Sequence, residues 1–257
     1  YNVDILQCIA AGLLFLFVLR IIIKSDDKYN KIVFALAILI FLVSPLVWKI
    51  DWGKFFIIPI AAYFNKQYGS LFPLFPWLGF LFSGTVTAKL YLNARTNNNE
   101  KKFIMNLTIV GLAFALGGHF LLSGIFPENY RMIRPHPVFD ILRLGWVLFL
   151  LGMFWYYAEY RNTKRSFVLD VGRESLLVYW LHLEIIYRHF WKGQSLVSAV
   201  NHKLNFIEAV MLVLIVATLM VLVAKIWGRF KKDYREPAAK LTFTIVSLCI
   251  IIFLIGF

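Results

Sequence analysis

A chain of 257 residues that is 60% hydrophobic, 18% aromatic and only 16% charged, with a mean hydropathy of +0.72, differs from soluble domains, which run nearer half apolar and a quarter charged. These proportions exclude an ordinary soluble enzyme and indicate a multi-pass membrane protein. The formal charge of +13 would suit nucleic acid, but the basic residues fall in short clusters between apolar stretches, so they read as topology signals and no nucleic-acid partner is expected.

Apolar stretches of the length that crosses a bilayer, roughly 17 to 25 residues, occur at 5–23, 32–48, 71–92, 103–126, 141–160, 170–190, 206–227 and 241–257. They are continuously apolar, whereas barrel strands alternate over about ten residues, so helices are expected. The reading is an all-α polytopic transmembrane bundle of about eight spans, forming a single domain over 1–257. A ninth apolar stretch, 55–64, contains Pro59 and is too short to cross; it belongs at the interface or in a re-entrant piece.

The loops alternate in charge. Fourteen Lys and Arg fall in the first, third, fifth and seventh loops, and seven in the second, fourth and sixth. By the positive-inside rule the odd loops are cytoplasmic, and both ends of the chain lie outside. The chain begins with Tyr1, and an outside start is most simply explained by an odd number of spans further upstream. The second loop runs into GSLFPLFPW, where Pro73 and Pro76 remove amide donors and restrict the residues before them. The fourth loop, PENYRMIRPHPVFD, holds His136 between Pro135 and Pro137, with Arg131 and Arg134 close by.

The segment 172–182, GRESLLVYWLH, sets ionisable groups into an apolar helix, where they are expensive and by default mark a site. At about 100° per residue, Ser175, Tyr179, His182 and His189 share a polar stripe, while Arg173, Glu184 and Arg188 lie opposite. Glu184 and Arg188 stand in the favourable i, i+4 order of an ion pair. His182 is roughly 13 Å along the axis from Arg173, near mid-membrane. A proton-exchanging imidazole there can be a general base oriented by Tyr179 or Ser175, or a histidine satisfied by a bond across helices. His119, after Gly117 and Gly118, reads as a packing residue beside a close helix contact. Cys8 and Cys249 form no disulfide framework, and no metal-ligand spacing, P-loop or nucleophile elbow is present, so no metal is expected.

Three segments together, DILQCIA at 4–10, FPLFPWLGFLFSG at 72–84 and GRESLLVYWLH at 172–182, with RPHPVFDILRLG at 134–145 between the last two, resemble the DUF1624 or heparan-alpha-glucosaminide N-acetyltransferase catalytic family. The likeness spans almost the whole chain. It implies an integral, multi-pass enzyme, such as one of the bacterial inner membrane, that moves an acetyl group from cytoplasmic acetyl-CoA to a sugar amine or hydroxyl, or a glycan, on the far side. It implies about three further helices upstream and leaves open a possible homodimer. Two departures stand out: residues 49–70 lack the histidine of the lysosomal enzyme's external loop, and the arginine-glycine helix of bacterial relatives lies outside this sequence.

On this reading His182, Tyr179 and Ser175 are the catalytic candidates. Arg161, Lys164, Arg165 and Arg173 would neutralise the phosphates of CoA. His136, Arg131, Arg134 and Arg143 would serve the acceptor, with Trp77 as a face for sugar stacking. Direct transfer and passage through an acyl-histidine both remain open. The competing class is a transporter or flippase that moves an amphiphile without making a bond; it lacks the paired broken helices such proteins often show. A non-catalytic scaffold leaves the buried ionisable stripe without a purpose.

Overall fold

The computed structural model describes residues 3–131, 133–161, 167–188, 193–200 and 203–255, with the side chains of 131, 161, 167 and 249–255 outside the description. Among the described residues there is no strand, and the chain is an all-α bundle. Among the described residues five helices are both long and apolar enough to cross a membrane. The residues divide into two compact units, Tyr1–Arg161 and Asn162–Phe257.

In the first unit α1, Ile5–Ile22, opens on a capping box in which Asp4 accepts from Ile5 N and the Gln7 side chain accepts from Asp4 N at 3.0 Å. Its buried residues, Cys8, Gly12 and Leu16, recur every four positions and give one packed face. Helix α2, Asp26–Lys49, starts earlier than its apolar stretch because Asp26 and Asp27 suit a helix N-terminus. A short α3, Ile58–Ala61, leads to α4, Leu74–Thr96. Leu16 of α1, Val33, Ala37 and Ile40 of α2, and Leu78 and Phe82 of α4 form the main core of this unit.

Helix α5, Glu100–Phe120, continues into a π-helical turn, Leu121–Ile125, followed by α6, Glu128–Arg131, and α7, Pro137–Arg161. Pro137 starts α7 four residues before the expected apolar stretch, where its fixed φ suits a first helical turn. Helices α5 and α7 meet backbone to backbone. A Cβ at Gly145 would stand 2.5 Å from Ala115 N, and one at Gly111 would stand 2.5 Å from Phe149 N. Gly118 faces Leu142 of α7 in the same seam. His119 is exposed, which corrects its reading as a packing residue: the glycine before it occupies the contact.

The second unit contains α8, Phe167–Arg173, α9, Ser175–Tyr187, α10, Leu196–Val200, α11, Phe206–Asp233, and α12, Arg235–Ile255. The expected continuous helix over 170–190 is interrupted at Glu174, whose φ of -103° and ψ of 22° leave the helical region. The interruption is a kink and not a separation, because Glu174 N still donates to Asp170 O at 3.2 Å and Val178 N to Glu174 O at 3.0 Å. Its physical reason is the carboxylate. Glu174 is buried and reaches Lys231 of α11 at 2.7 Å, and a buried carboxylate without such a partner would be costly. Helix α11 opens on a second capping box, Asn205 with Glu208.

Candidate functional site

In the second unit the histidine singled out from the sequence lies midway along α9. His182 Nδ1 is 3.0 Å from the Val178 carbonyl oxygen one turn earlier. A carbonyl only accepts, so Nδ1 carries the hydrogen, and the neutral ring keeps its lone pair on Nε2. That is the tautomer a general base needs. The Tyr179 ring meets the imidazole edge to face at 5.3 Å, a favoured arrangement of two rings. Ser175 opens α9 at the kink and is exposed.

His182 also forms part of the wall of a cavity of 520 Å³ whose other described lining residues, from α8, α9, α10 and α11, are aliphatic or Met. The imidazole is the one polar side chain among the described residues that line it. Arg173 ends α8 and is exposed. Arg161 ends α7, with its side chain outside the description, and Lys164 and Arg165 lie outside the described residues, as does His189. The expected pair of Glu184 with Arg188 forms at 2.7 Å.

In the first unit the proline-flanked loop delivers His136 to the start of α7. The side chain is buried, and its Nδ1 accepts from Val138 N at 3.2 Å. The imidazole thus takes the place of a helix cap, satisfying one of the donors that the first turn leaves without a partner. Its neutral form therefore carries the hydrogen on Nε2, the reverse of His182. Burial pushes the His136 pKa below its ordinary value, and the positive charge of Arg134 adds to this. Phe126 stands edge to face with the imidazole at 5.8 Å.

One turn further on, Asp140 is 2% exposed and its Oδ2 has no hydrogen-bond partner among the described residues. Arg143 is the cation acting on it, and its guanidinium also lies over the Phe139 ring at 4.2 Å. This carboxylate was not singled out from the sequence. The signal was its position four residues after His136, on the same helical face as a residue already chosen. Arg131 ends α6, with its side chain outside the description, and Arg134 is joined to Pro135 by a cis peptide bond. Trp77 is half-buried in the first turn of α4 and packs on Phe72 at 4.9 Å and Phe80 at 5.7 Å, beside the small cluster of Val3, Cys8 and Ala62.

Comparison with known proteins gives one family. Residues 2–125 match the model described as heparan-alpha-glucosaminide N-acetyltransferase, catalytic. No curated protein and no solved structure matches the chain. The matched stretch ends at the π-helical turn, so His136, Asp140 and His182 all lie beyond it.

Proposed function

The match over residues 2–125 supports a place in the heparan-alpha-glucosaminide N-acetyltransferase family, and from that premise we propose that this chain transfers an acetyl group from acetyl-CoA on the cytoplasmic side to a sugar amine or hydroxyl on the other. The family suggests a membrane N-acetyltransferase, and the five apolar helices long enough to cross agree with a multi-pass membrane protein. The observation that carries the mechanism is the hydrogen bond of His182 Nδ1 to the Val178 carbonyl.

With Nδ1 committed to that carbonyl, Nε2 accepts the proton of the acceptor amine or hydroxyl as it attacks the thioester carbonyl. The tetrahedral intermediate collapses with release of the CoA thiolate, which takes up a proton to leave as free CoA. Tyr179 holds the ring through its edge-to-face contact, and Ser175 is the next polar group on the same stripe. The cationic groups Arg161, Lys164, Arg165 and Arg173 neutralise the phosphates of CoA, for which guanidinium and ammonium groups are suited. In the first unit, taken by itself, the Nε2 hydrogen of neutral His136 is a donor for a sugar oxygen. Arg131, Arg134 and Arg143 supply further donors, and Trp77 a stacking face.

The test uses the full-length protein, purified and supplied with acetyl-CoA. Free CoA should appear only when a hexosamine acceptor is added, and His182→Ala should abolish that release while folded yield is kept. Wild-type turnover in the His182→Ala protein would remove this residue from the mechanism. Acceptor uptake into vesicles without CoA release would favour transport.

A further inference from the structure

The connection between α2 and α4 carries a row of apolar side chains that no described residue of the first unit covers. Phe55 is 70% exposed and Ile57 is 69% exposed, and Ile58 and Ile60 are exposed beside them. Such a row in water would be an aggregation hazard, and its contiguity marks an interaction surface.

The row is held stiffly. Tyr68 donates to the Asp51 carboxylate and accepts from Gly53 N at 2.8 Å. Asn65 Nδ2 donates to Ile50 O at 2.9 Å. Trp52 stacks on Phe64 at 4.5 Å, and Phe64 stacks in turn on Phe75 at the start of α4. The exposed side chains therefore project from a braced platform.

Around the row lie the residue types that favour a bilayer surface. Trp48 and Trp52 have apolar bodies with N–H groups satisfied by Phe75 O and Val47 O, and the Lys66 ammonium lies 5.7 Å from the Trp48 ring. Lys54 is exposed immediately before the row. Aromatic rings and snorkelling lysines collect at headgroup level. The row is also continuous with a lipid-facing surface, because α2, which leads into it, is long and apolar enough to cross and leaves Leu42 and Leu46 exposed near this end.

We propose that residues 55–60 are a membrane anchor that enters the bilayer leaflet at the α2–α4 end, with Phe55, Ile57, Ile58 and Ile60 in the acyl boundary and Lys54 and Lys66 at the headgroups. The segment lies in the interface plane and does not cross, since α3 has only four residues.

The experiment places a nitroxide on the full-length protein in phosphatidylcholine vesicles, at Phe55→Cys or Ile57→Cys, in a Cys8→Ala, Cys249→Ala background. Collision with oxygen, which concentrates in lipid, is compared with collision with a water-soluble nickel chelate. The oxygen-to-nickel ratio at 55 and 57 should exceed, several-fold, that at the exposed control Gln67→Cys. A ratio equal to the control would show a loop in water, and low collision with both reagents would show a protein surface covering the row; either overturns the anchor. Should the cysteine-free background fold poorly, brominated phosphatidylcholine applied to the unaltered protein and to Trp52→Phe gives the same answer. The anchor requires that part of the lipid-quenchable tryptophan emission be lost with Trp52, and an unchanged quenchable fraction overturns it.

Discussion

Two of the five histidines of this protein, His182 and His136, are wired in opposite senses. In the second unit a backbone carbonyl accepts from His182 Nδ1, so the free nitrogen of the neutral ring is a proton acceptor. In the first unit a backbone N–H donates to His136 Nδ1, so the free nitrogen is a donor. The difference comes from where each sits on its helix. An interior residue meets the carbonyl one turn back, whereas a residue before the first turn meets unpaired amides. Which nitrogen is left over thus follows from helix position, and the same side chain offers a lone pair in one place and acts as a cap in the other.

The largest expected effect breaks this contrast at the base. His182→Ala should lower CoA release by about 10²–10⁴-fold, the span typical of general base catalysis, while His136→Ala should act mainly on acceptor KM. Equal effects of the two substitutions on kcat would dissolve the distinction. Next comes a test of the first unit's rigidity: Gly145→Ala drives a methyl into the α5 backbone and should cost about 1–3 kcal/mol or more, whereas Gly117→Ala, with open space around it, should leave thermal unfolding nearly unchanged.

A smaller effect sharpens the cap. His136→Ala should destabilise by about 0.5–2 kcal/mol, and His136→Asn, which keeps a capping acceptor, by less; thermal unfolding of the purified variants measures both. The smallest is a pH effect. Because the folded pKa of His136 is lowered, the unfolded chain binds the proton first as pH falls. Its contribution to stability is therefore present above about pH 6.5 and is lost as the pH falls through the lower folded value. Unfolding temperatures from pH 8 downward should show that loss in the wild type, and His136→Asn should flatten it.

Much of the fold was legible because hydropathy alone marks membrane helices. Helices α1, α2, α5, α7 and α11 coincide with expected apolar stretches, and α2, α5, α7 and α11 each extend beyond theirs at one end or both, where caps and terminal charges, not hydropathy, set the boundary. The kink at Glu174 was not legible. The sequence displays a glutamate within an apolar run, but its demand for a counter-ion is met by Lys231, more than fifty residues away, and periodicity does not carry such a pairing. For the same reason the stripe from Ser175 to His182 reads as one face of a straight helix, and the kink leaves Ser175 at its start.

The candidate site was legible as residue types and not as states. His136 and His182 could each be picked out, one by its flanking prolines and the other by its apolar surroundings. Which nitrogen is free depends on a backbone partner that only the folded chain reveals. Asp140 was missed because a carboxylate in a first helical turn is ordinarily a solvated, favourable residue, and only its burial makes it unusual.

The glycine seam between α5 and α7 bears on how a reactant can be admitted. Helices separated by bulky side chains can slide by exchanging rotamers, but where main chains abut at Gly111 and Gly145 there is nothing to exchange. These two helices therefore act as a single strut, and any movement of the strut as a whole must come from flexing at its terminal joints, the π-helical turn and the His136 elbow.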